Sequence, residues 1–291
     1  MQSVIEPPLA TARALKIIRA AHLGQCFGVR DAIALALEQS RRQPLTVLGE
    51  LVHNESVVRD LRTRGIAIED HPAAVKTPAV MITAHGASDK ALQRARDHGL
   101  QVLDATCPLV HLAHRAVRRL VQDGFHPVII GQRAHVEVRG LTEDLDPFDV
   151  VLTEEDVARL RERPRFGVAA QTTQPIAKVL HLVDLIRSRF PRSEVRFADT
   201  VCRPTKQRQT AAVELARQSD VVVVIGGAAS NNTRELVATC RSYCDRVHHV
   251  QDSADLRPEW FDGAATIGIT AGTSTPDWII DTVEDWLNAN L

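Results

Sequence analysis

The chain has no excess of charge of either sign: 35 Lys and Arg stand against 36 Asp and Glu, a formal net charge of -1. Without a basic stripe there is no electrostatic case for a nucleic-acid binder, and the charges read as solvated helix faces. Long hydrophobic runs are also missing. The longest, residues 221–229, is far too short to span a bilayer. Residues 1–14 contain Glu6, Pro7 and Pro8 but no apolar core of a secretory signal, so the expectation is a soluble, cytoplasmic protein with residues 1–14 a disordered tail. There is no low-complexity linker, no G-x-x-x-x-G-K-[ST] loop, no well-placed G-x-G-x-x-G and no C-x-x-C pair. Nucleoside triphosphates, dinucleotides and a local zinc knuckle are thereby disfavoured. Five cysteines in such a compartment argue against a disulfide framework and for thiolate chemistry or plain core packing.

Three of those cysteines share one setting. Cys26 follows Lys16-Ile-Ile-Arg, Cys107 follows Leu100-Gln-Val-Leu-Asp-Ala-Thr, and Cys202 follows Val195-Arg-Phe-Ala-Asp-Thr-Val. Each stands after a strand-like run and before a helical stripe such as Val110, Ala113, Val117, Leu120 and Val121. Pro108 is suited to a first helical turn, which puts Cys107 at the N-cap, where the positive helix end is expected to favour a thiolate. Cys240 and Cys244, four apart on a predicted helix, read more simply as a core-facing pair.

Short β-rich runs at 45–48, 80–83, 102–103, 128–130, 167–169, 221–225 and 267–270 alternate with amphipathic stretches. That is the pattern of α/β units built on parallel sheets. Comparable intervals between the three cysteines predict three similar α/β domains with mainly parallel sheets. Their expected limits are 15–107, containing Cys26; 108–202, containing His135 and Glu137; and 203–291, carrying anion-binding turns and joined by the N-terminal strand.

Ligands of open α/β sheets gather beyond the carboxyl ends of the strands. The unusual residues fall there: His53, His85, His135 with Glu137, Thr172 and Thr173, Ser230 to Asn232, and Thr273 to Thr275. Taken singly, a loop His is commonly a surface residue and a Ser or Asn before a helix commonly an N-cap. Taken together, the turns at Gly226–Thr233 and Gly272–Asp277 aim helix N-termini at one side of a sheet and suit a small phosphorylated ligand, with histidines available for charge compensation. Glu137 is the candidate proton donor, a surface Glu on a strand edge being the plainer alternative. Three thiolates with no nearby fourth suit a cubane iron–sulfur cluster with one open iron, ahead of a catalytic zinc.

The residues also resemble a known family. Gly24-Gln-Cys26-Phe-Gly-Val29, Gly49-Glu-Leu-Val-His53-Asn54, Ala84-His85-Gly86, Asp104-Ala-Thr-Cys107-Pro-Leu-Val110 and His135-Val-Glu137-Val are similar, in order, to motifs of the IspH/LytB family. So are Gln171-Thr-Thr173, Asp199-Thr-Val-Cys202 with Arg208-Gln209, Ser230-Asn-Asn232 and Thr270-Ala-Gly-Thr-Ser274. The family reduces 4-hydroxy-3-methylbut-2-enyl diphosphate to isopentenyl and dimethylallyl diphosphates in the non-mevalonate isoprenoid pathway. The resemblance implies a pseudo-threefold arrangement around a central [4Fe-4S] cluster, with Cys26, Cys107 and Cys202 as ligands and one iron open. It implies a substrate diphosphate gripped by His53, His85, His135, Ser230, Asn231, Asn232 and Ser274. Glu137 would head a proton relay assisted by Thr172 and His135, and a ferredoxin or flavodoxin-type partner would supply electrons.

Some positions depart from the family pattern: Gln25 for Phe, Ala229 for Asn, Asn231 for Ser, Lys206 for Gln, and Gln132, Ala134 and Val136 within the usual Gly-His-x-Gly-His-Pro-Glu. None removes a cysteine or Glu137. Two further readings stay open on the sequence: a non-redox hydratase or dehydratase using the open iron as a Lewis acid, and a diverged diphosphate-binding protein that keeps the cluster.

Overall fold

A computed structural model describes residues 15–291; the expected disordered tail, 1–14, lies outside the described residues. The chain opens with strand β1 (Lys16–Arg19) and helix α1 (Phe27–Ser40). A first unit follows: β2 (Leu45–Leu48), α2 (Glu55–Thr63), β3 (Ala67–Glu69), β4 (Ala79–Ile82), α3 (Asp89–Asp97) and β5 (Gln101–Asp104). Helix α4 (Pro108–Gln122) leads into the second: β6 (His126–Ile130), α5 (Val136–Thr142), β7 (Asp149–Val151), α6 (Glu154–Arg159), β8 (Arg165–Ala170), α7 (Ile176–Arg189) and β9 (Glu194–Phe197). Helix α8 (Arg203–Arg217) leads into the third: β10 (Val221–Ile225), α9 (Asn231–Arg241), β11 (Val247–Val250), β12 (Thr266–Ala271) and α10 (Asp277–Asn290).

The three sheets have one topology. Their orders are β3-β2-β4-β5, β7-β6-β8-β9 and β11-β10-β12-β1, with every pairing parallel. In the third sheet β1 takes the place held by β5 and β9 in the others, Ile17 facing Ile267 across the ladder. Each of these equivalent strands runs directly toward a cysteine. The helix after that cysteine then crosses to the next unit: α1 packs on β2, α4 on β6 and β8, and α8 on β10 and β12. Every junction between units therefore carries one thiol, which is how cysteines far apart in sequence come to share one region.

Helices on both faces explain why the central strands are continuously apolar. All five residues of β10 are fully buried, as are Val128, Ile129 and Ile130 of β6. Each such Val or Ile contributes about 1.5–3 kcal/mol by leaving water. Two glycines set how closely the cysteine-bearing helices approach. A Cβ at Gly167 in β8 would stand 2.9 Å from Leu120 Cβ of α4, and one at Gly268 in β12 would stand 2.8 Å from Leu215 Cγ of α8. A side chain there would lift the helix and move the thiol at its start. The edge strands β3, β7 and β11 are absent from the sequence expectation. They are three or four residues long, and Ala67-Ile-Glu69, Asp149-Val-Val151 and Val247-His-His-Val250 lack a decisive apolar run.

Candidate active site

Cys26, Cys107 and Cys202 are each the N-cap of their helix, free and half-buried, and no thiol caps its own helix. Their backbones are held alike. The amide of Cys26 donates to Thr273 O (3.2 Å), that of Cys107 to Ala84 O (3.1 Å) and that of Cys202 to Thr172 O (3.0 Å). Each acceptor lies on the loop after the third strand of its sheet, beside Ser274, His85 and Thr173 respectively. Thiols and candidate ligand-binding side chains are thus locked to one set of loops.

The thiols converge. A Cβ on Gly28, in the first turn of α1, would fall 2.4 Å from Cys107 Sγ, so α1 accepts that sulfur against bare backbone. A charge on Cys26, or on Glu137, acts on both Cys107 and Cys202. The expectation of a thiolate favoured by the helix end needs correcting. Burial raises the Cys107 pKa despite the amides of Leu109 and Val110, and lifts Cys202 to about 11 despite Thr205, whose Oγ1 lies 3.1 Å from its Sγ. Without metal these are thiols, and metal binding must displace the protons.

This donor set fits an iron–sulfur cluster. Among the described residues, the group compact enough for a single ion, with ligand atoms within 4.8 Å of one another, is His53, His85 and His135, not the cysteines. Tetrahedral zinc with Zn–S bonds of ≈ 2.3 Å needs sulfurs about 3.8 Å apart. More widely set thiols on three loops suit a polynuclear cluster. Cys240 and Cys244 take no part. Both are buried against Leu236, Val222 and Val247, and burial pushes Cys240 up to about 12.

The three histidines meet across the two first units. His53 and His85 stack with ring centroids 4.4 Å apart, and His135 stands edge-on to them at 5.2 and 5.5 Å. Their Nδ1 atoms each have a partner: the exposed Glu50 Oε2 at 3.0 Å from His53, Thr83 Oγ1 at 3.4 Å from His85, and for His135 the amide of Glu137, which donates to it at 3.1 Å. Accepting that amide leaves Nε2 of His135 as the protonated nitrogen of the neutral ring. Burial, and then each other's charge, hold His85 well below the usual histidine range; burial, then His53, Arg234 and Arg139, bring His135 to about 3. Both are neutral at pH 7 in the free chain, so charge compensation by histidine requires the anion to draw protons in.

The third unit completes the cavity with two buried loops. Ser230 caps α9 by accepting from the Thr233 amide at 3.3 Å. Asn232 Oδ1 accepts from the Thr273 amide (2.9 Å), which leaves its buried Nδ2 without a partner. Ser274 Oγ donates to His53 O (3.1 Å), joining third and first units. Asn231 Nδ2 donates to Thr173 Oγ1 (3.0 Å), joining third and second, and its buried Oδ1 is also unpartnered. The orphan donor Nδ2 of Asn232, beside the imidazoles, suits an anion, whereas the orphan acceptor Oδ1 of Asn231 suits a hydroxyl or water. The side chains close on a cavity of about 30 Å³. A larger cavity of about 710 Å³ lies between the first two units but holds none of the three histidines or the cysteines.

Glu137 lies in the first turn of α5, fully buried rather than on a strand edge. Its Oε1 accepts from the Thr172 amide at 2.6 Å, yet burial outweighs that bond and raises its pKa to about 7. Since Thr172 O accepts from the Cys202 amide, one residue connects the carboxyl to a thiol loop. The sequence reading passed over Glu50, three residues before His53, and Arg234, which donates to Gln132 Oε1 at 2.9 Å across the second and third units. A carboxylate three residues before a loop histidine was a usable signal; the reach of Arg234 was not.

The LytB protein family matches residues 17–288. A 4-hydroxy-3-methylbut-2-enyl diphosphate reductase of Geobacter sp. (strain M21) is 38% identical over 279 residues, covering 94% of this chain and 98% of that protein. One of Pelobacter propionicus is 36% identical over 271 residues, covering 92% and 96%. Among solved structures, (E)-4-hydroxy-3-methyl-but-2-enyl diphosphate reductase, the terminal enzyme of the non-mevalonate pathway, matches with TM-score 0.67 and 35% identity over 94% of this chain and 99% of that one. The reductase of Plasmodium falciparum matches with TM-score 0.87 and 25% identity over 95% and 88%.

Proposed function

The chain belongs to the LytB family, and we propose on that premise that it is a 4-hydroxy-3-methylbut-2-enyl diphosphate reductase of the non-mevalonate isoprenoid pathway. The observation that carries this reading is the placement of three cysteine N-caps and an anion cavity on the same loops, with a buried, protonatable Glu137 beside both. The reaction breaks the allylic C–O bond, releases the oxygen as water and delivers two electrons and a proton to the carbon skeleton, giving isopentenyl or dimethylallyl diphosphate.

Cys26, Cys107 and Cys202 would hold a [4Fe-4S] cluster by three thiolates, with one iron open. When bound, that cluster supplies electrons singly and a Lewis-acidic iron. His53, His85, His135, Ser230, Asn231, Asn232 and Ser274 bind the diphosphate. The Nε2–H of His135 and the orphan Nδ2 of Asn232 would donate to its oxygens. Glu137 holds a proton near neutral pH because burial disfavours its anion. The Thr172 amide fixes the carboxyl and stabilises it once the proton has gone to the departing oxygen. No helix among the described residues is long and apolar enough to cross a membrane. We place the enzyme in the cytoplasm, served by a ferredoxin or flavodoxin-type donor. Anaerobic reconstitution, followed by assay with the hydroxylated diphosphate and a low-potential reductant, is expected to give the two five-carbon diphosphates. A chain that takes up no iron, or that converts substrate without consuming electrons, overturns the proposal.

A further inference from the structure

Helix α8 begins after Cys202 and carries Arg208, an arginine 7% exposed that no carboxylate among the described residues pairs. Its Nε and Nη2 donate to Gly24 O at 3.1 and 2.6 Å, and its Nη1 donates to Pro204 O at 3.1 Å. Gly24 stands two residues before Cys26 and Pro204 two residues after Cys202, so one guanidinium clamps the approaches to two thiols from different units. The carbonyl it grips is pre-aimed. Gly24 has φ +71°, and a Cβ there would lie 2.8 Å from Ile280 Cδ1, so glycine alone fits. Burial weighs most on Arg208 and disfavours its charge; Cys26 and Cys202 oppose that effect once deprotonated, and Arg30 adds a like charge.

A buried cation is costly unless paired. Two carbonyls take three of its five N–H donors and leave its charge without a partner. Resting on the proposed function above, we infer that Arg208 is the counter-charge of the three-cysteine cage: a positioning residue that fixes the Gly24 and Pro204 backbones and holds the potential of the bound cluster up. Three thiolates around an oxidised cubane form an anion, and each added electron makes it more negative. A fixed cation alongside therefore stabilises the reduced form more than the oxidised one. Net charge and nearby donors are among the protein's means of setting such potentials. Lysine keeps the charge but loses the two-pronged grip.

The test compares wild type, Arg208→Lys and Arg208→Gln, each reconstituted anaerobically and titrated through its reduction with the signal followed by EPR, alongside thermal melts of the metal-free chains. The expected result is a tenfold or greater fall in the reduced-to-oxidised ratio at fixed potential for Arg208→Gln, equivalent to ~59 mV for one electron, with Arg208→Lys within about twofold of wild type. Metal-free Arg208→Gln should melt close to wild type, because removal of an unpaired buried charge offsets the lost grip on Gly24 and Pro204. An unchanged potential in Arg208→Gln overturns the inference, as does a metal-free Arg208→Gln that fails to fold. Wild type that forms no cluster overturns the proposed function instead.

Discussion

Replacing Glu137 by Gln exchanges a buried ionisable carboxyl for a neutral group of the same shape that still accepts from the Thr172 amide. In the folded chain the Glu137 pKa stands at about 7 against an ordinary 4.5. Between those values the folded form keeps a proton that the unfolded form has released, so Glu137 makes stability fall as pH rises through that window. At 1.36 kcal/mol per pKa unit the full penalty is about 3 kcal/mol near pH 8. His135 acts on the opposite side. Its pKa is depressed from 6.5 to about 3, so its contribution is complete above pH 6.5 and is lost as pH falls toward 3. Denaturant unfolding of the metal-free chain at pH 5 and pH 8.5 should therefore show Glu137→Gln gaining about 3 kcal/mol relative to wild type at the higher pH, with little difference at the lower. In the loaded enzyme the same substitution should leave iron content and substrate binding intact while lowering kcat by about 10²–10⁴, the usual worth of a positioned acid. Any alkaline fall of wild-type kcat that reports deprotonation of Glu137 should vanish in the variant. A variant with unchanged kcat, or with no gain in stability at pH 8.5, refutes the assignment of Glu137 as a buried proton donor.

Serine at Cys26, Cys107 or Cys202 should abolish iron retention, while Cys240→Ser and Cys244→Ser should keep the iron of wild type and lose only core stability, as iron assays and melts will show. Gly28→Ala places a methyl 2.4 Å from Cys107 Sγ and is expected to cost cluster loading in a chain that still folds, read by iron content beside circular dichroism; full loading would contradict the close seat of that sulfur. Pyrophosphate binding near pH 7 should draw protons into the protein, since burial keeps His85 and His135 neutral beforehand. Calorimetry in two buffers of different ionisation enthalpy measures that uptake, and His135→Ala should weaken binding by about tenfold, ~1.4 kcal/mol. Binding without proton uptake would contradict the neutral-histidine site.

The central strands are legible in the sequence because sheets covered on both faces need unbroken apolar runs, as in β6 and β10. Edge strands such as β7 carry no such demand, so Asp149-Val-Val151 looks like a loop. The repeated strand, cysteine and helix context announces three equivalent junctions, and the structure brings those cysteines, the three histidines and the two loops of the third unit together. What the sequence does not carry is burial in three dimensions. Glu137 looks like a surface residue until β8 and its loop close over α5. The helix N-terminus at Cys107 suggests a thiolate, yet desolvation wins because the loops that gather the cysteines also shut out water. Arg208 reads as one more solvated helix cation until Gly24 O, 184 residues away, is seen to take two of its donors.

The most direct test of the convergence of thiols and anion site is Mössbauer spectroscopy of the chain reconstituted anaerobically with ⁵⁷Fe, recorded before and after addition of 4-hydroxy-3-methylbut-2-enyl diphosphate. The account predicts a [4Fe-4S] signal in which one iron site alone changes when the diphosphate arrives. Absence of bound iron, or a cluster spectrum indifferent to the diphosphate, would contradict it.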